Sequence, residues 1–395
     1  MTLGQRASFW VAAAVVAHTI WTSAAPAMTY PLYAVEWGLN TTQTAAIFAI
    51  YPIVVVGMLI CFGDLSDYIG RRATLLLGLA ASFIGVMLFA VAPNLLWIYI
   101  GRGFMGIGVG LSAGPATAAM IEFSAAGQAS RASAITAVAQ SAGLALATLI
   151  GGALIEYAPL PTRLNFYLLT VIIALIFSAV WFLPGHTSAE AKGAWRPKTP
   201  AIPRELLAVF ISSAAAAVSA FAIGAVSLSL GAQIARDLIG SGNVMLNGAT
   251  LSVFAIASGA TGIAAKGLSS RTAIALGVAA SAVGTGLLTW SVAAHALGIF
   301  LLFLMMAGMA YCLMFMGGLG LINLYAPPHH RGGTLSALYL AAYLMQGGFA
   351  LSLGAVAVHW NLAWAIDAGA VAILLLSLFT GLFSALLGPR RRALA

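Results

Sequence analysis

Hydrophobic residues in this chain come in long unbroken blocks, and polar residues gather in short clusters between them. A helix that crosses a bilayer needs about 20 mostly apolar residues. Blocks bounded by charges, Pro/Gly turns or polar clusters predict twelve such helices, over residues 9–33, 44–62, 73–92, 95–118, 132–157, 166–183, 206–230, 246–265, 272–291, 297–324, 335–358 and 362–387. A β-barrel would alternate apolar and polar positions over segments of about ten residues, whereas these blocks are continuous and rich in Ala, Leu and Val. The first block is expected to be an uncleaved helix. Signal-peptide cores run about 7 to 15 residues, and this stretch continues to Tyr33.

Composition agrees with the pattern. With 62% hydrophobic and 7% charged residues and a mean hydropathy of +1.03, the chain has too little polar surface to cover a water-soluble globule of 395 residues. The cations then orient it. With a cytoplasmic N-terminus, the inner side collects Arg6, Arg71, Arg72, Arg131, Lys192, Arg196, Lys198, Arg204, Lys266, Arg271, Arg331 and Arg390 to Arg392, which is 14 of the 17 Lys and Arg residues. Arg163 and Arg236 face out, and Arg102 lies inside the fourth helix. The positive-inside rule therefore predicts both termini in the cytoplasm and explains the basic balance without nucleic acid. Cys61 and Cys312 both fall in apolar blocks, which predicts neither a disulfide framework nor a metal site.

The chain repeats itself. RRATLLLG at 71–78 is echoed by SRTAIALG at 270–277, and Arg131 before the fifth helix by Arg331 before the eleventh, offsets of 199 and 200 residues. An even number of helices per repeat keeps both halves in one orientation. The expected fold is an all-α membrane protein of two six-helix bundles related by a pseudo-two-fold axis along the membrane normal. The bundles are 1–184 and 206–395, and the polar, proline-containing stretch 185–205 reads as a cytoplasmic linker.

The loop between helices 2 and 3, GDLSDYIGRR at 63–72, packs two aspartates and two arginines between uncharged flanks. A short turn needs its glycines, Asp67 at a helix end can accept from unpaired N–H groups, and Arg71 needs a counter-charge. Glu122, ending helix 4 on the same side, is the candidate, with Arg131 completing the cluster. Gly63, Leu65, Asp67, Gly70, Arg71 and Arg72 resemble the signature of the major facilitator superfamily, and the helix count and two-half layout extend the likeness over nearly the whole chain. Tyr68 stands where that family usually has a basic residue. The resemblance implies a conformational latch of Gly63, Asp67, Gly70, Arg71, Arg72, Glu122 and Arg131, in which Asp67 meets the start of helix 11 and locks the halves while the protein faces outward. In the second half Lys266, Ser269 and Ser270 replace the equivalent of Asp67, the glycine and the first arginine.

Arg102 lies roughly 10 Å inside the outer end of helix 4, at 1.5 Å per residue, where a charge costs about 2.5–3.5 kcal/mol unless paired or hydrated. An arginine here followed by a glycine-rich run is similar to the 12-helix drug/proton antiporter branch. Helix 5 departs from that branch, with Ala147 and Thr148 where glycine-proline would stand. The fold implied by the resemblance lines its cavity with helices 1, 4, 7 and 10. The expected substrate residues are His18, Trp21, Tyr30, Tyr33, Met105, Met309 and Tyr311, within a wider group of methionines that includes Met305, Met306, Met314 and Met316. Proton coupling is expected at an Arg102–Glu36 pair, with Glu156 a second possible partner and with His18 near the bilayer midplane as the alternative.

Neither HExxH, nor paired membrane aspartates, nor a nucleotide loop is present. The expected function is therefore secondary active transport by alternating access, not enzyme catalysis and without a cofactor. Proton-coupled efflux of drug-like or small organic molecules is the first reading, proton-coupled uptake of a sugar, organic acid or other metabolite the second, and a non-transporting membrane sensor or enzyme the alternative of another class. Small-molecule substrate, protons and lipid are the expected partners. The protein is expected to act as a monomer in a plasma membrane, the inner membrane of a bacterium.

Overall fold

A computed structural model describes residues 2–39, 41–125, 127–185, 202–231, 234–235, 240 and 242–386. The described residues are helical throughout their ordered elements. The twelve long helices are α1 (Gln5–Ala24), α2 (Thr41–Phe62), α3 (Arg71–Ala90), α4 (Leu95–Glu122), α5 (Ala129–Tyr157), α6 (Leu164–Trp181), α7 (Leu207–Ser229), α8 (Val244–Ala264), α9 (Ser270–Ala293), α10 (Leu297–Tyr325), α11 (Pro328–His359) and α12 (Leu362–Leu386). Eleven are long and apolar enough to cross a bilayer, the first counted through to Glu36; in α2 the apolar part is shorter, Ala46–Phe62. Most of the linker 185–205, and Arg390 to Arg392, lie outside the described residues.

Two elements differ from the expected spans. The first block is broken: α1 ends at Ala24, a 3-10 turn follows at Ala25–Met28, and a short helix runs from Tyr30 to Glu36. Pro26 and Pro31 lack the N–H that would continue the ladder. The freed carbonyls find other donors: Asn165 of α6 donates to Ala25 O at 3.4 Å and the Thr29 hydroxyl to Pro26 O at 2.8 Å. That is the requirement for irregular backbone at membrane depth. Helix α11 starts at Pro328, seven residues before the expected 335, because a proline in the first turn has no N–H to waste there.

Packing repeats between the halves. α3 packs on α4 as α9 does on α10, α1 on α5 as α7 on α11, α2 on α4 as α8 on α10, and α3 on α6 as α9 on α12. The same exchange relates the contacts between halves, α5 with α8 and α2 with α11. This is the two-fold relation the sequence repeat predicts. The α5/α8 seam is backbone against backbone. A Cβ on Gly248 would lie 2.6 Å from Thr148 O, and one on Gly152 would lie 3.2 Å from Val244 O. Small residues allow this approach.

Candidate functional site

At the end of the bundle that the cation distribution predicts to be cytoplasmic, a one-turn helix (Leu65–Ile69) joins α2 to α3 through Gly70, whose φ of +86° is in the left-handed region that glycine adopts freely. This turn sets Asp67 and Arg71 four residues apart, and Arg71 is 1% exposed. Its Nη1 donates to Asp67 Oδ1 and to Ser66 Oγ; its Nε and Nη2 donate to Glu122 Oε1 at 3.1 and 2.9 Å. Burial lifts the Asp67 carboxyl above the ordinary aspartate value, and attraction to Arg71 opposes the lift.

Two expectations about this cluster are corrected, those for Arg131 and Arg72. Asp67 bonds Arg71 within the first half. A contact between the halves is made beside it by Ser336 of α11, whose hydroxyl donates to Gly63 O at 2.6 Å, with Gly114 of α4 leaving room for it. Arg131 is exposed and donates to Gln128 Oε1 at 3.0 Å. The further cation that senses the cluster is Arg331 of the second half. Burial lowers its value, attraction to Glu122 raises it and repulsion from Arg71 lowers it. Arg72 points away from the cluster and lies 5.6 Å over the Trp181 ring at the end of α6. In the second half Ser269 caps α9, accepting from the Thr272 N–H at 3.2 Å, so no ion cluster is needed there.

Arg102 is also 1% exposed, and no carboxylate pairs with it among the described residues. Its Nε donates to Ile47 O at 3.1 Å and its Nη1 to Ser23 O at 3.2 Å, in the last turn of α1 before the break. The guanidinium lies 4.7 Å from the Tyr51 ring centre and 6.0 Å from that of Tyr30. The expected pair with Glu36 is not formed. Carbonyls and π-faces hold the cation inside the fold, while Glu36 is exposed and keeps its hydration. The other candidate carboxylate, Glu156, spans the two halves at the outer end of the seam. Its Oε1 accepts from Asn243 Nδ2 at 3.1 Å and its Oε2 from the Val244 N–H at 2.9 Å, the first residue of α8.

The expected substrate residues divide. Tyr33 packs in the outer part of the first half, stacked 4.7 Å from Trp37 and donating to Thr162 O at 3.1 Å. Met105 packs against Gly85 of α3, and Met306 and Met314 against Gly284 and Gly277 of α9. Met305 is on the outer surface, and Met309 is half-buried. The methionines of α10 are thus mostly packing residues. On α1, His18 bonds Val15 O through Nδ1 at 3.0 Å. His18 Nε2, Trp21 Nε1 and Thr22 Oγ1, spaced i, i+3, i+4 on one face, are buried without a hydrogen-bond partner among the described residues.

Tyr311 alone of the expected residues joins the polar centre between the halves. Gln140 of α5 donates to Tyr339 Oη at 3.3 Å and accepts from Tyr311 Oη at 3.5 Å, and Tyr339 Oη shares a 3.0 Å bond with Thr117 of α4. Beside it, Ser141 donates to Ser258 Oγ at 2.6 Å. Phe221, Phe254, Phe315 and Tyr343 surround the group with rings 5.4–6.4 Å apart. Tyr343 also meets Tyr51 at 6.3 Å, which links the centre to Arg102. One signal pointed here: Gln140 is the lone side-chain amide of α5.

Over 154 residues, 38% of this chain and 30% of the other, the sequence is 33% identical to the multidrug efflux pump LfrA of Mycolicibacterium smegmatis (strain ATCC 700084 / mc(2)155), so the match spans about a third of that relative's length. The fold is similar to the crystal structure of the human organic anion transporter MFSD10 (TETRAN), with a TM-score of 0.76 at 15% identity, covering 96% of this chain and 100% of that one. The family model described as Major Facilitator Superfamily matches residues 10–350. The chain is a multi-pass membrane transporter, not an enzyme, and it belongs to the Major Facilitator Superfamily.

Proposed function

We propose that the protein is a proton-driven exporter of drug-like or small organic molecules, in which the bundles 1–184 and 206–395 rock about the centre built on Gln140. The observation that carries this reading is that hydrogen bonds, not only apolar packing, join the halves at that centre: Thr117, Gln140 and Ser141 on one side, Tyr311, Tyr339 and Ser258 on the other. Polar side chains also join helices within one half, as Ser219 and Thr380 do at 3.0 Å; those that face one another across the seam would be freed by its parting and give a substrate something to bind. The direction of transport follows the 33% identity to a pump named for multidrug efflux. The pump works in the inner membrane of a bacterium as a monomer, with both termini cytoplasmic as the cation distribution requires.

With Arg102 held by carbonyls and rings, the proton carrier is His18. Its Nδ1 is engaged with Val15 O and its Nε2 is free to take a proton. Purified protein in liposomes with an imposed pH gradient tests the reading. Gradient-driven flux of lipophilic aromatic compounds is expected, with coupling lost in His18→Gln and kept in Glu36→Gln. Flux that ignores the gradient in the wild type overturns proton drive, and coupling that survives in His18→Gln overturns the carrier.

A further inference from the structure

We infer that Gln140 determines specificity at the transport site, its side-chain amide reading an uncharged hydrogen-bonding group on an aromatic substrate, so that the site takes neutral aromatics in preference to cations. The inference rests on the proposed transport reading and adds the substrate's chemistry.

Gln140 is 3% exposed, and both ends of its amide are committed, Nε2 to Tyr339 and Oε1 to Tyr311. Both tyrosines belong to the other half, so parting the halves releases donor and acceptor together. At 3.3 and 3.5 Å these bonds are at the long end of the range, and a ligand that replaces them gives up little. The walls around the amide are rings from four helices of the second half: Phe221 of α7, Phe254 of α8, Tyr311 and Phe315 of α10, Tyr339 and Tyr343 of α11. Offset and edge-on ring contacts are the arrangement a planar aromatic guest can enter by exchange.

The charge distribution decides between guests. The chain has nine acidic residues. Asp64, Asp67 and Glu122 lie at the cytoplasmic end, Glu36 and Glu156 at the outer end, Glu205 beside the linker, and Asp367 on the exposed face of α12. Glu190 and Asp237 lie outside the described residues. None falls on the membrane core of α4, α5, α7, α8, α10 or α11. The charged group that does reach toward the centre is positive, Arg102, through Tyr51 and Tyr343. A cation in this box would shed its water without finding a counter-charge, a cost a neutral guest avoids.

Two triphenylphosphorus probes of nearly the same size separate the possibilities: methyltriphenylphosphonium, a cation, and triphenylphosphine oxide, neutral with one strong acceptor oxygen. Equilibrium binding of each to the purified full chain in lipid nanodiscs, without a gradient, is compared with gradient-driven flux of each in liposomes. Wild type is expected to bind the oxide about tenfold more tightly than the phosphonium, the ratio that one hydrogen bond of about 1.4 kcal/mol provides. In Gln140→Leu the ratio collapses towards one, and in Gln140→Glu it inverts. Tyr339→Phe, which keeps the ring and frees the amide of one partner, retains preference for the oxide and guards against misfolding of the Gln140 variants. Preference for the phosphonium in wild type, binding of neither probe, or an unchanged ratio in Gln140→Glu overturns the inference. Binding in the expected ratios with no flux of either probe overturns the transport reading and leaves the specificity assignment standing, whereas flux without gradient dependence overturns only the proton drive.

Discussion

Asn243 holds two helices with one amide: its Oδ1 caps its own α8 by accepting from the Leu246 N–H at 2.9 Å, and its Nδ2 donates to Glu156 of the opposite half at 3.1 Å. Glu156 in turn accepts from the Val244 N–H, so the N-terminus of α8 is capped partly by a carboxylate of the opposite half, which the proposed rocking would withdraw. Loss of a cap costs about 1 kcal/mol, which makes Glu156 a bias on the outer gate. In Glu156→Ala, a single cysteine at Met245, beside Gly152 on the seam, is expected to react about fivefold more with impermeant thiol reagents added outside, in a background lacking Cys61 and Cys312. Equal labelling in Glu156→Ala and wild type would show that the clasp does not restrain the gate.

The cluster around Arg71 has a pH signature. Because burial raises the Asp67 value above that of an unfolded aspartate, the native state binds this proton more tightly than the unfolded chain does. Its contribution to stability is therefore fully present below the unfolded value, about 3.9, and is lost as pH rises through the native one. The difference in Tm between wild type and Asp67→Asn should become more positive as pH falls from about 7 towards 4. A difference that is flat or falls with acid contradicts the raised value. Transport in Asp67→Asn should be slowed about tenfold or more at normal expression, since Arg71 loses one of its two counter-charges.

Arg102 should resist replacement even by lysine. The guanidinium bonds two carbonyls from different helices while stacking on Tyr51, a geometry an ammonium cannot reproduce. Each bond to a charged donor contributes about 1.5–3 kcal/mol, so both Arg102→Lys and Arg102→Ala are expected to lower the Tm by several degrees. Glu36→Gln is expected to leave it unchanged. Thermal unfolding in detergent measures all three, and a destabilised Glu36→Gln would restore the outer ion pair.

The α5/α8 seam leaves no room for a side chain at Gly248. The atom that a new Cβ meets at 2.6 Å is the Thr148 carbonyl, part of a helix backbone that cannot swing aside. Gly248→Ala should push the outer ends of the halves apart and raise labelling at Met245, as Glu156→Ala does, whereas Gly286→Ala, on α9 with open space around it, should have no effect.

Helix positions and the pairing of Arg71 with Glu122 were legible in the sequence, because bilayer thickness fixes run length and a buried cation needs a carboxylate. What the sequence hid depended on which residues meet across space. Arg131 and Arg331 are equivalent in the repeat, and only the folded chain shows that Arg331 is the one that feels the charge of Glu122. Arg102 suggested a carboxylate partner because carbonyls carry no sequence signal; its partners are backbone atoms of Ser23 and Ile47. Tyr339 and Tyr343 were passed over because α11 was not expected to reach the centre, although their spacing of four puts both on one helix face. Pro26 was visible, but its consequence depended on Asn165, 140 residues away, taking up the released carbonyl.

Ser336 touches Gly63 at one end of the seam and Asn243 touches Glu156 at the other in the same conformation. The two clasps are closed together, so one can be undone while the other still holds. For the proton-driven exporter proposed above, the route between the two open forms then has a stage at which neither side of the membrane is reached, and each turnover would move its cargo without ever opening a continuous leak through which the driving gradient would drain.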